Sequence, residues 1–218
     1  MSSAPKTTSL LVKGPAGDLE VLIDEPATAN AAVDHVALIC HPHPLYGGTM
    51  TNKVVHILAR ACNELGVPTV RFNFRGVGKS AGTHDDGQGE TDDVLAMLQW
   101  TALRWPNAKI WLTGFSFGAA MALRASLRAV TARPACLITV APALRWLTQV
   151  HEAPPCPWLI VQGDQDELVD ALAVQQWATS LQQSPQVTIL PGAEHFFHGR
   201  LNDLRDAVQD WLRKTPGD

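Results

Sequence analysis

The sequence predicts an α/β domain in which a mainly parallel sheet is covered by helices on both faces. The chain has 218 residues, of which 46% are hydrophobic and 17% charged, a composition that suits one folded domain with one sizeable core. Short apolar runs alternate along the chain with segments of helical periodicity, as expected for parallel strands joined by helices. Most of these apolar runs are continuous, so the strands are expected to be buried on both faces.

The elements follow from local patterns. The first two strands are SLLVKG and DLEVLID, with the turn Pro15-Ala16-Gly17 between them. The first helix is predicted over about 52–65, because apolar side chains recur on one face and Gly66 ends the pattern. The other strands are HVALIC, VPTVRFNF, KIWLTG, ACLITVA, PWLIVQG and QVTILPG. The other helices are ETDDVLAMLQWTAL, FGAAMALRASLRAV, VDALAVQQWATSL and a last helix with Leu201, Leu204, Val208, Trp211 and Leu212.

Ligands on such sheets bind beyond the carboxyl ends of the strands, and the glycine-rich segment GVGKSAG, residues 76–82, follows one of these ends. A phosphate-binding loop would need glycine where the chain has Asn73, and it would need a helix directly after the loop. A dinucleotide fingerprint needs the same helix. The serine-nucleophile pattern G-x-S-x-G around Ser80 also lacks a following helix. We therefore interpret this segment as a structural turn in which Arg75 pairs with a local acid.

A second G-x-S-x-G pattern lies at GFSFG, residues 114–118. Here the strand KIWLT leads into the motif and the helix AAMALRASLRAV leads out of it. Strand, tight turn and helix form the context in which a serine nucleophile projects from a strained turn between two small residues. Ser116 is therefore favoured over Ser80 as a nucleophile, and over the alternative that it merely caps an ordinary helix.

A serine hydroxyl needs a base to take its proton and a carboxylate to orient that base. His195 directly follows the strand QVTIL and is favoured over His198, which lies nearer the last helix. Asp166, in the loop after PWLIVQG, is favoured over Asp164, which is close enough to Gly163 to be used in shaping the turn. The chain order of nucleophile, acid and histidine, each just beyond a separate strand, is a stronger signal than any one of these residues.

A tetrahedral intermediate also needs N–H donors for its oxyanion. One donor is expected to be the backbone N–H of Phe117, at the start of the helix after the nucleophile. The other is expected from the loop HPHPLYGG, in which Pro42 and Pro44 have no N–H to donate. Leu45 is the first choice in this loop and Tyr46 the second, and the two following glycines let the loop fold close to the site.

Other function classes are disfavoured. His41 and His43 have a spacing that suits two metal ligands, but no third ligand is convincingly placed, so neither a metal nor a cofactor is expected. The net charge of −4 provides no basic field for nucleic acid or an anionic membrane. We find no signal-peptide pattern and no apolar run near the roughly 18 residues of a membrane span, so a cytoplasmic protein is expected. The cysteines form no C-x-x-C pair, and their thiols are expected to be reduced; they are Cys40, Cys62, Cys136 and Cys156.

Together these motifs resemble the α/β-hydrolase superfamily. GFSFG, FRGVGKSAG, GDQDELV and GAEHFF match its layout from the third strand to the last helix, nearly the whole chain. The segment HPHPLYGG is similar to that of a small bacterial branch of predicted serine hydrolases, distantly similar to dienelactone and acyl-peptide hydrolases. Dienelactone hydrolases use cysteine where this chain has Ser116, so their substrate is not carried over. The resemblance implies about eight strands, the second antiparallel, and no cap domain, because only APALRWLTQVHEAPPC is available where a lid would be inserted.

The sequence thus predicts a single-domain serine hydrolase, a carboxylesterase or thioesterase acting on a small acyl substrate. Ser116 would attack the acyl carbon, His195 would transfer the proton, and Asp166 would hold the imidazole in the required tautomer. The lack of a lid disfavours a lipase of long-chain fats. A peptidase or amidase using the same three residues is an alternative, as is a binding protein on a hydrolase fold.

Overall fold

The computed structural model describes residues 6–27 and 33–215 and contains one eight-stranded sheet in the order β1-β2-β4-β3-β5-β6-β7-β8. The strands are β1 Lys6–Gly14, β2 Gly17–Glu25, β3 His35–Cys40, β4 Thr69–Phe72, β5 Lys109–Phe115, β6 Cys136–Val140, β7 Trp158–Gly163 and β8 Gln186–Leu190. The helices are α1 Lys53–Glu64, α2 Gln88–Arg104, α3 Phe117–Arg128, α4 Ala171–Ser180 and α5 Leu201–Lys214.

The sheet is mainly parallel, as predicted. Strands β4, β3, β5, β6, β7 and β8 pair in parallel, whereas β2 is antiparallel to both of its neighbours, β1 and β4. The predicted antiparallel second strand is therefore confirmed. The first two strands form a hairpin at one edge of the sheet. The central strands β3 and β5 lie between helices on both faces and carry almost entirely buried side chains.

Two hydrophobic clusters lie on opposite faces of the sheet. One contains the buried side chains of α1 and α5, and the other contains those of α2, α3 and α4. Helix α1 illustrates how the sequence fixes an element: the Asn52 side chain accepts a hydrogen bond from the N–H of Val54 at its start, and Gly66 adopts a positive φ of 81° just after its end. Its buried face contains Val54, Leu58 and Ala61, as the periodicity predicts.

The topology provides a crevice between two neighbouring strands. After β3 the chain continues into α1 on one face of the sheet, whereas after the adjacent β5 it continues into α3 on the other face. The loops leaving these two strands therefore diverge, and ligands of open α/β sheets bind at such a switch point. Candidate residues at the carboxyl ends of β3 and β5 thus lie at the place where chemistry is expected.

No cap domain covers this edge in the described part of the chain. The segment between β6 and β7 contains only a short 3-10 turn over Leu144–Trp146, which agrees with the predicted absence of a lid. Within residues 6–27 and 33–215, no helix has both the length and the hydrophobicity that crossing a bilayer requires.

The segment GVGKSAG forms a turn held by its own polar groups. The Ser80 hydroxyl donates to the carbonyl oxygen of Asn73 at 2.6 Å and accepts from the N–H of Glu20 at 2.9 Å. Arg75 forms a buried ion pair with Asp93 at 2.7 Å, which is the local acid that the sequence predicted. Because Ser80 is occupied by two backbone groups, its hydroxyl serves the loop structure.

Candidate active site

Ser116 lies on a strained turn between β5 and α3. Its φ is 55° and its ψ is −115°, a backbone conformation that residues other than glycine rarely adopt. The flanking glycines are needed for steric reasons: a Cβ atom on Gly114 would lie 2.4 Å from the carbonyl oxygen of Gly118, and one on Gly118 would lie 2.3 Å from the carbonyl oxygen of His41. The close packing of this turn explains the G-x-S-x-G pattern physically.

The structure brings three predicted side chains together although they are far apart in sequence. The hydroxyl oxygen of Ser116 lies 3.1 Å from Nε2 of His195, and Nδ1 of His195 lies 2.8 Å from Oδ2 of Asp166. A ring that donates its Nδ1 proton to the carboxylate presents an unprotonated Nε2 to the hydroxyl. The arrangement can therefore accept the serine proton as the hydroxyl attacks an electrophile.

The acid loop holds the Asp166 carboxylate ionised. Burial raises the pKa of this carboxyl. Hydrogen bonds from His195 and from the backbone N–H groups of Val169 and Leu168 lower the pKa by more than burial raises it, so it lies below its ordinary value. Nε2 of Gln162 also donates to Oδ2 of Asp166 at 2.9 Å. Gln162 was not anticipated from the sequence, although a glutamine within an otherwise apolar strand is a recognisable signal.

The loops that carry Asp166 and His195 pack closely against each other at Gly163. A Cβ atom on Gly163 would lie 2.1 Å from the carbonyl oxygen of Ala193, so only glycine permits this contact. The backbone N–H of His195 donates to the Glu167 carboxylate at 3.2 Å, which ties the two loops together. The His195 ring is 2% exposed and contacts the ring of Phe115 at a centroid distance of 5.0 Å. These contacts restrict the imidazole to one orientation.

The rejected alternatives lie outside this arrangement. His198 has an exposed side chain and pairs with Glu194, its Nδ1 lying 3.3 Å from the carboxylate. Asp164 accepts a hydrogen bond from the N–H of Gly192 at 2.6 Å and so shapes the loop instead of reaching the histidine. Neither side chain has a hydrogen bond to His195 or Ser116.

The loop after β3 differs from the prediction at the second oxyanion donor. The N–H of Leu45 donates to Nδ1 of its neighbour His43 at 3.2 Å, and the Leu45 side chain is 69% exposed. The N–H of Tyr46, the second choice, donates to the carbonyl oxygen of His43 at 3.1 Å. Both amides are thus used within the short 3-10 turn, and Leu45 does not line the cavity next to Ser116.

The backbone N–H of His43 is a further candidate donor, which the prediction from the sequence overlooked. His43 lines the same cavity as Ser116, and among the described residues its backbone N–H has no hydrogen-bond partner. The signal was present in the sequence, because His43 is the one residue between the two prolines that has an N–H. The predicted donor Phe117 also lines the cavity, and as the first residue of α3 its N–H has no acceptor within the helix.

His41 and His43 are not arranged as metal ligands. His41 is fully buried: its Nδ1 lies 2.6 Å from the carbonyl oxygen of Pro42, and its Nε2 accepts from the N–H of Phe74 at 3.0 Å. Burial lowers the pKa of His41 to about 4, so its ring is neutral and joins the loops that follow β3 and β4. Across the described residues, no group of three or more His, Cys, Asp or Glu side chains is placed to hold a metal ion.

Beside the serine lies a cavity of about 530 Å³. Segments that follow five different strands, β3, β5, β6, β7 and β8, form its walls. Much of its lining is apolar, including Leu144, Leu168, Val169 and Phe196. Leu168 is 64% exposed and Tyr46 is 77% exposed, so the rim is hydrophobic and open to solvent. The cavity is therefore open to solvent beside Ser116, and no covering domain lies over it within residues 6–27 and 33–215.

Comparison with known proteins gives consistent results. The sequence matches the α/β hydrolase fold family over residues 42–155. A Rickettsia prowazekii protein described as uncharacterised is 37% identical over 211 residues, covering 91% of this chain and 86% of that protein. The structure of an α/β serine hydrolase homologue from Coxiella burnetii is 44% identical with a TM-score of 0.88, covering 94% of this chain and 97% of that chain. A Xanthomonas campestris structure, described as an α/β serine hydrolase without a lid, is 44% identical with a TM-score of 0.89, covering 97% and 96%.

Proposed function

The chain belongs to the α/β-hydrolase family, and from this premise we propose that it is a serine hydrolase that cleaves small acyl esters or thioesters through an acyl-enzyme intermediate. The observation that supports this most strongly is the hydrogen-bonded chain from the Ser116 hydroxyl through His195 to Asp166, with distances of 3.1 and 2.8 Å. Ser116 lies on a strained turn, and both Ser116 and His195 line the open cavity.

The geometry supports a two-step mechanism. The Ser116 hydroxyl attacks the acyl carbon while Nε2 of His195 takes its proton, and His195 then protonates the leaving group. Water, deprotonated by the same nitrogen, attacks the acyl-enzyme, and His195 returns this proton to the Ser116 oxygen as the acid is released. Asp166 keeps the Nδ1 proton in place and stabilises the imidazolium that forms in each step.

The oxyanion of each tetrahedral intermediate is proposed to accept hydrogen bonds from two backbone N–H groups, those of Phe117 and His43. Both residues line the cavity, and neither amide has a partner among the described residues. This assignment replaces Leu45, whose N–H is already donated to the ring of His43. The rigid loop between Pro42 and Pro44 presents the His43 amide without further rearrangement, which is the preorganisation that oxyanion stabilisation requires.

The cavity supports a small acyl substrate. Its open, apolar rim accepts an alkyl chain, while the absence of a covering domain in the described residues leaves long chains without a protected site. An ester or thioester carbonyl is more reactive than an amide and needs only the groups described here. We therefore expect turnover of short esters such as 4-nitrophenyl butyrate and of the matching thioester.

The two G-x-S-x-G motifs provide a matched pair of variants. Ser116→Ala is expected to lower turnover of 4-nitrophenyl butyrate by about 10⁴- to 10⁶-fold. Ser80→Ala is expected to retain turnover, because this hydroxyl binds only Asn73 and Glu20 backbone groups. Equal rates for the wild type and folded Ser116→Ala would reject the proposal. Hydrolysis of amino-acid 4-nitroanilides without hydrolysis of esters would point to a peptidase instead.

A further inference from the structure

A cation without an acidic partner lies at the wall of the cavity. Arg145 belongs to the 3-10 turn after β6 and lines the same cavity as Ser116 and His195. Its guanidinium is exposed and has no hydrogen bond or ion pair to any other residue within 6–27 and 33–215. The turn begins beside the nucleophile, because the N–H of Ala143 donates to the carbonyl oxygen of Ser116 at 3.3 Å.

Two aromatic rings hold this guanidinium without using its N–H donors. It lies 6.0 Å from the ring centre of Tyr46 and 5.4 Å from that of Trp146. Cation–π contacts of this kind orient the planar group while its five N–H donors stay available for a carboxylate. His43, whose ring lies 4.7 Å from that of Tyr46, belongs to the same aromatic wall.

The acidic residues of the cavity are already engaged. Asp170 lines it as well, but its carboxylate accepts hydrogen bonds from the N–H groups of Leu172 and Ala173 at the start of α4. Asp166 is committed to His195 and to backbone N–H groups of its own loop. Arg145 therefore lines the cavity without an ion-pair partner among the described residues, and its N–H donors are open to a bound carboxylate.

We propose that the substrate carries a carboxylate, separated from the scissile carbonyl by several bonds, which pairs with Arg145 while that carbonyl meets Ser116. Arg145 follows by two residues Ala143, which is hydrogen-bonded to Ser116, and two residues span at most about 7 Å between Cα atoms, so one small substrate can reach both the guanidinium and the serine. A half-ester of a dicarboxylic acid, or an ester with a carboxylate on its leaving group, has this chemistry. The carboxylate takes no part in bond breaking. This inference rests on the proposed function and specifies its substrate class.

The test compares pairs of esters in which a free carboxylate is replaced by its neutral methyl ester. On the acyl side, the mono-4-nitrophenyl ester of adipic acid is paired with its methyl ester. On the leaving-group side, 3-acetoxybenzoate is paired with methyl 3-acetoxybenzoate. The readout is the ratio of kcat/KM for the anionic and neutral ester of each pair, measured at low and high salt. Arg104→Gln is the matched control, since this exposed arginine lies over the ring of Trp105, at 5.0 Å, outside the cavity.

For at least one pair, Arg145→Gln is expected to lower the ratio by about tenfold, the size of one charge-assisted hydrogen bond to a partly solvated group. Arg145→Lys is expected to restore part of the ratio, and Arg104→Gln to leave it at the wild-type value. High salt is expected to lower the ratio of the wild type but not of Arg145→Gln. Equal ratios for the wild type and Arg145→Gln in both pairs would overturn the inference.

Failure of this inference is distinguishable from failure of the proposed function. Ser116-dependent turnover of the neutral esters without a charge preference would overturn the substrate class alone. If no ester is hydrolysed, binding of the same esters to Ser116→Ala, with and without Arg145→Gln, is measured by calorimetry. An anionic ester that binds about tenfold more weakly without Arg145 supports the charge recognition. Equal binding would overturn it.

Discussion

Replacing Asp166 by asparagine tests the proposed chemistry with little change in shape. Oδ1 of Asp166 accepts the N–H groups of Leu168 and Val169, at 2.9 and 2.8 Å, so the amide oxygen of an asparagine must occupy that position. Its NH₂ group then takes the place of Oδ2. At that position the NH₂ group, itself a donor, faces the two groups that donate to Oδ2 in the wild type, Nδ1 of His195 and Nε2 of Gln162.

The histidine can adapt to an NH₂ neighbour only by changing tautomer. His195 would accept at Nδ1 and carry its proton on Nε2, where it faces the Ser116 hydroxyl and can no longer take a proton from it. Gln162 cannot relieve the conflict by turning its amide, because Nε2 also donates to the carbonyl oxygens of Val169 and Gly163 at 3.0 and 3.2 Å. A turned amide would place its oxygen against both carbonyls.

The expected loss in kcat is about 10⁴-fold, equivalent to about 5 kcal/mol on the activation barrier. It is measured as steady-state and burst-phase hydrolysis of 4-nitrophenyl butyrate, with circular dichroism to confirm folding. Asp164→Asn is the matched control, because its remaining side-chain oxygen still accepts from the N–H of Gly192, and it is expected to retain turnover. Folded Asp166→Asn with more than a tenth of the wild-type kcat would refute this reasoning.

Three further predictions concern stability and the shape of the site. Arg71→Met leaves the carboxylate of Asp24 buried without its ion-pair partner, now 2.7 Å away, and is expected to lower the free energy of unfolding by about 3–5 kcal/mol in urea titrations. Addition of Asp24→Leu should recover most of this loss, and a loss below about 1 kcal/mol in the single variant would contradict the prediction. Gly118→Ala places a Cβ atom 2.3 Å from the carbonyl oxygen of His41, so we expect about 1–3 kcal/mol of destabilisation and a lower kcat; unchanged Tm and kcat would count against it. Because the folded-state pKa of Asp166 lies below the ordinary value of about 3.9, its stabilising contribution is complete above that pH and is lost as the pH falls through the folded value. The difference in free energy of unfolding between the wild type and Asp166→Asn should therefore become smaller as the pH falls. A difference that grows in acid would contradict the prediction.

The sequence predicts the sheet and the three interacting side chains well because each depends on local patterns. Continuous apolar runs identify the buried strands, and the strained turn at Ser116 imposes glycine on both sides, which is visible as a motif. His195 and Asp166 follow because residues just beyond parallel strands share one edge of the sheet. These inferences need no knowledge of distant contacts.

The details that the sequence does not predict depend on contacts between distant segments. Strand β4 ends at Phe72, earlier than the apolar pattern suggests, and beyond it the N–H of Phe74 donates to the ring of His41 instead of to a neighbouring strand. The N–H of Leu45 is not free to bind an oxyanion, because it donates to Nδ1 of the neighbouring His43. The two prolines single out the N–H of His43 in the sequence, but only the fold shows that the N–H groups of Leu45 and Tyr46 are used within the turn.

The same limit applies to charge. Nothing in the sequence distinguishes Arg145 from the other arginines. Only the fold places it against Tyr46 and Trp146 at the cavity wall. Its lack of an acidic partner within the described residues is likewise a property of the assembled structure. The substrate class therefore becomes a testable question only once the cavity and its neighbours are known.

The most direct test of the central claim is labelling with a fluorophosphonate probe followed by mass spectrometry of the modified peptide. We expect one covalent adduct on Ser116, formed at the same rate in Ser80→Ala and the wild type and at least about 10³-fold more slowly in His195→Ala. An adduct on Ser80, or no adduct on a folded protein, would contradict the proposal that Ser116 is a nucleophile activated by His195.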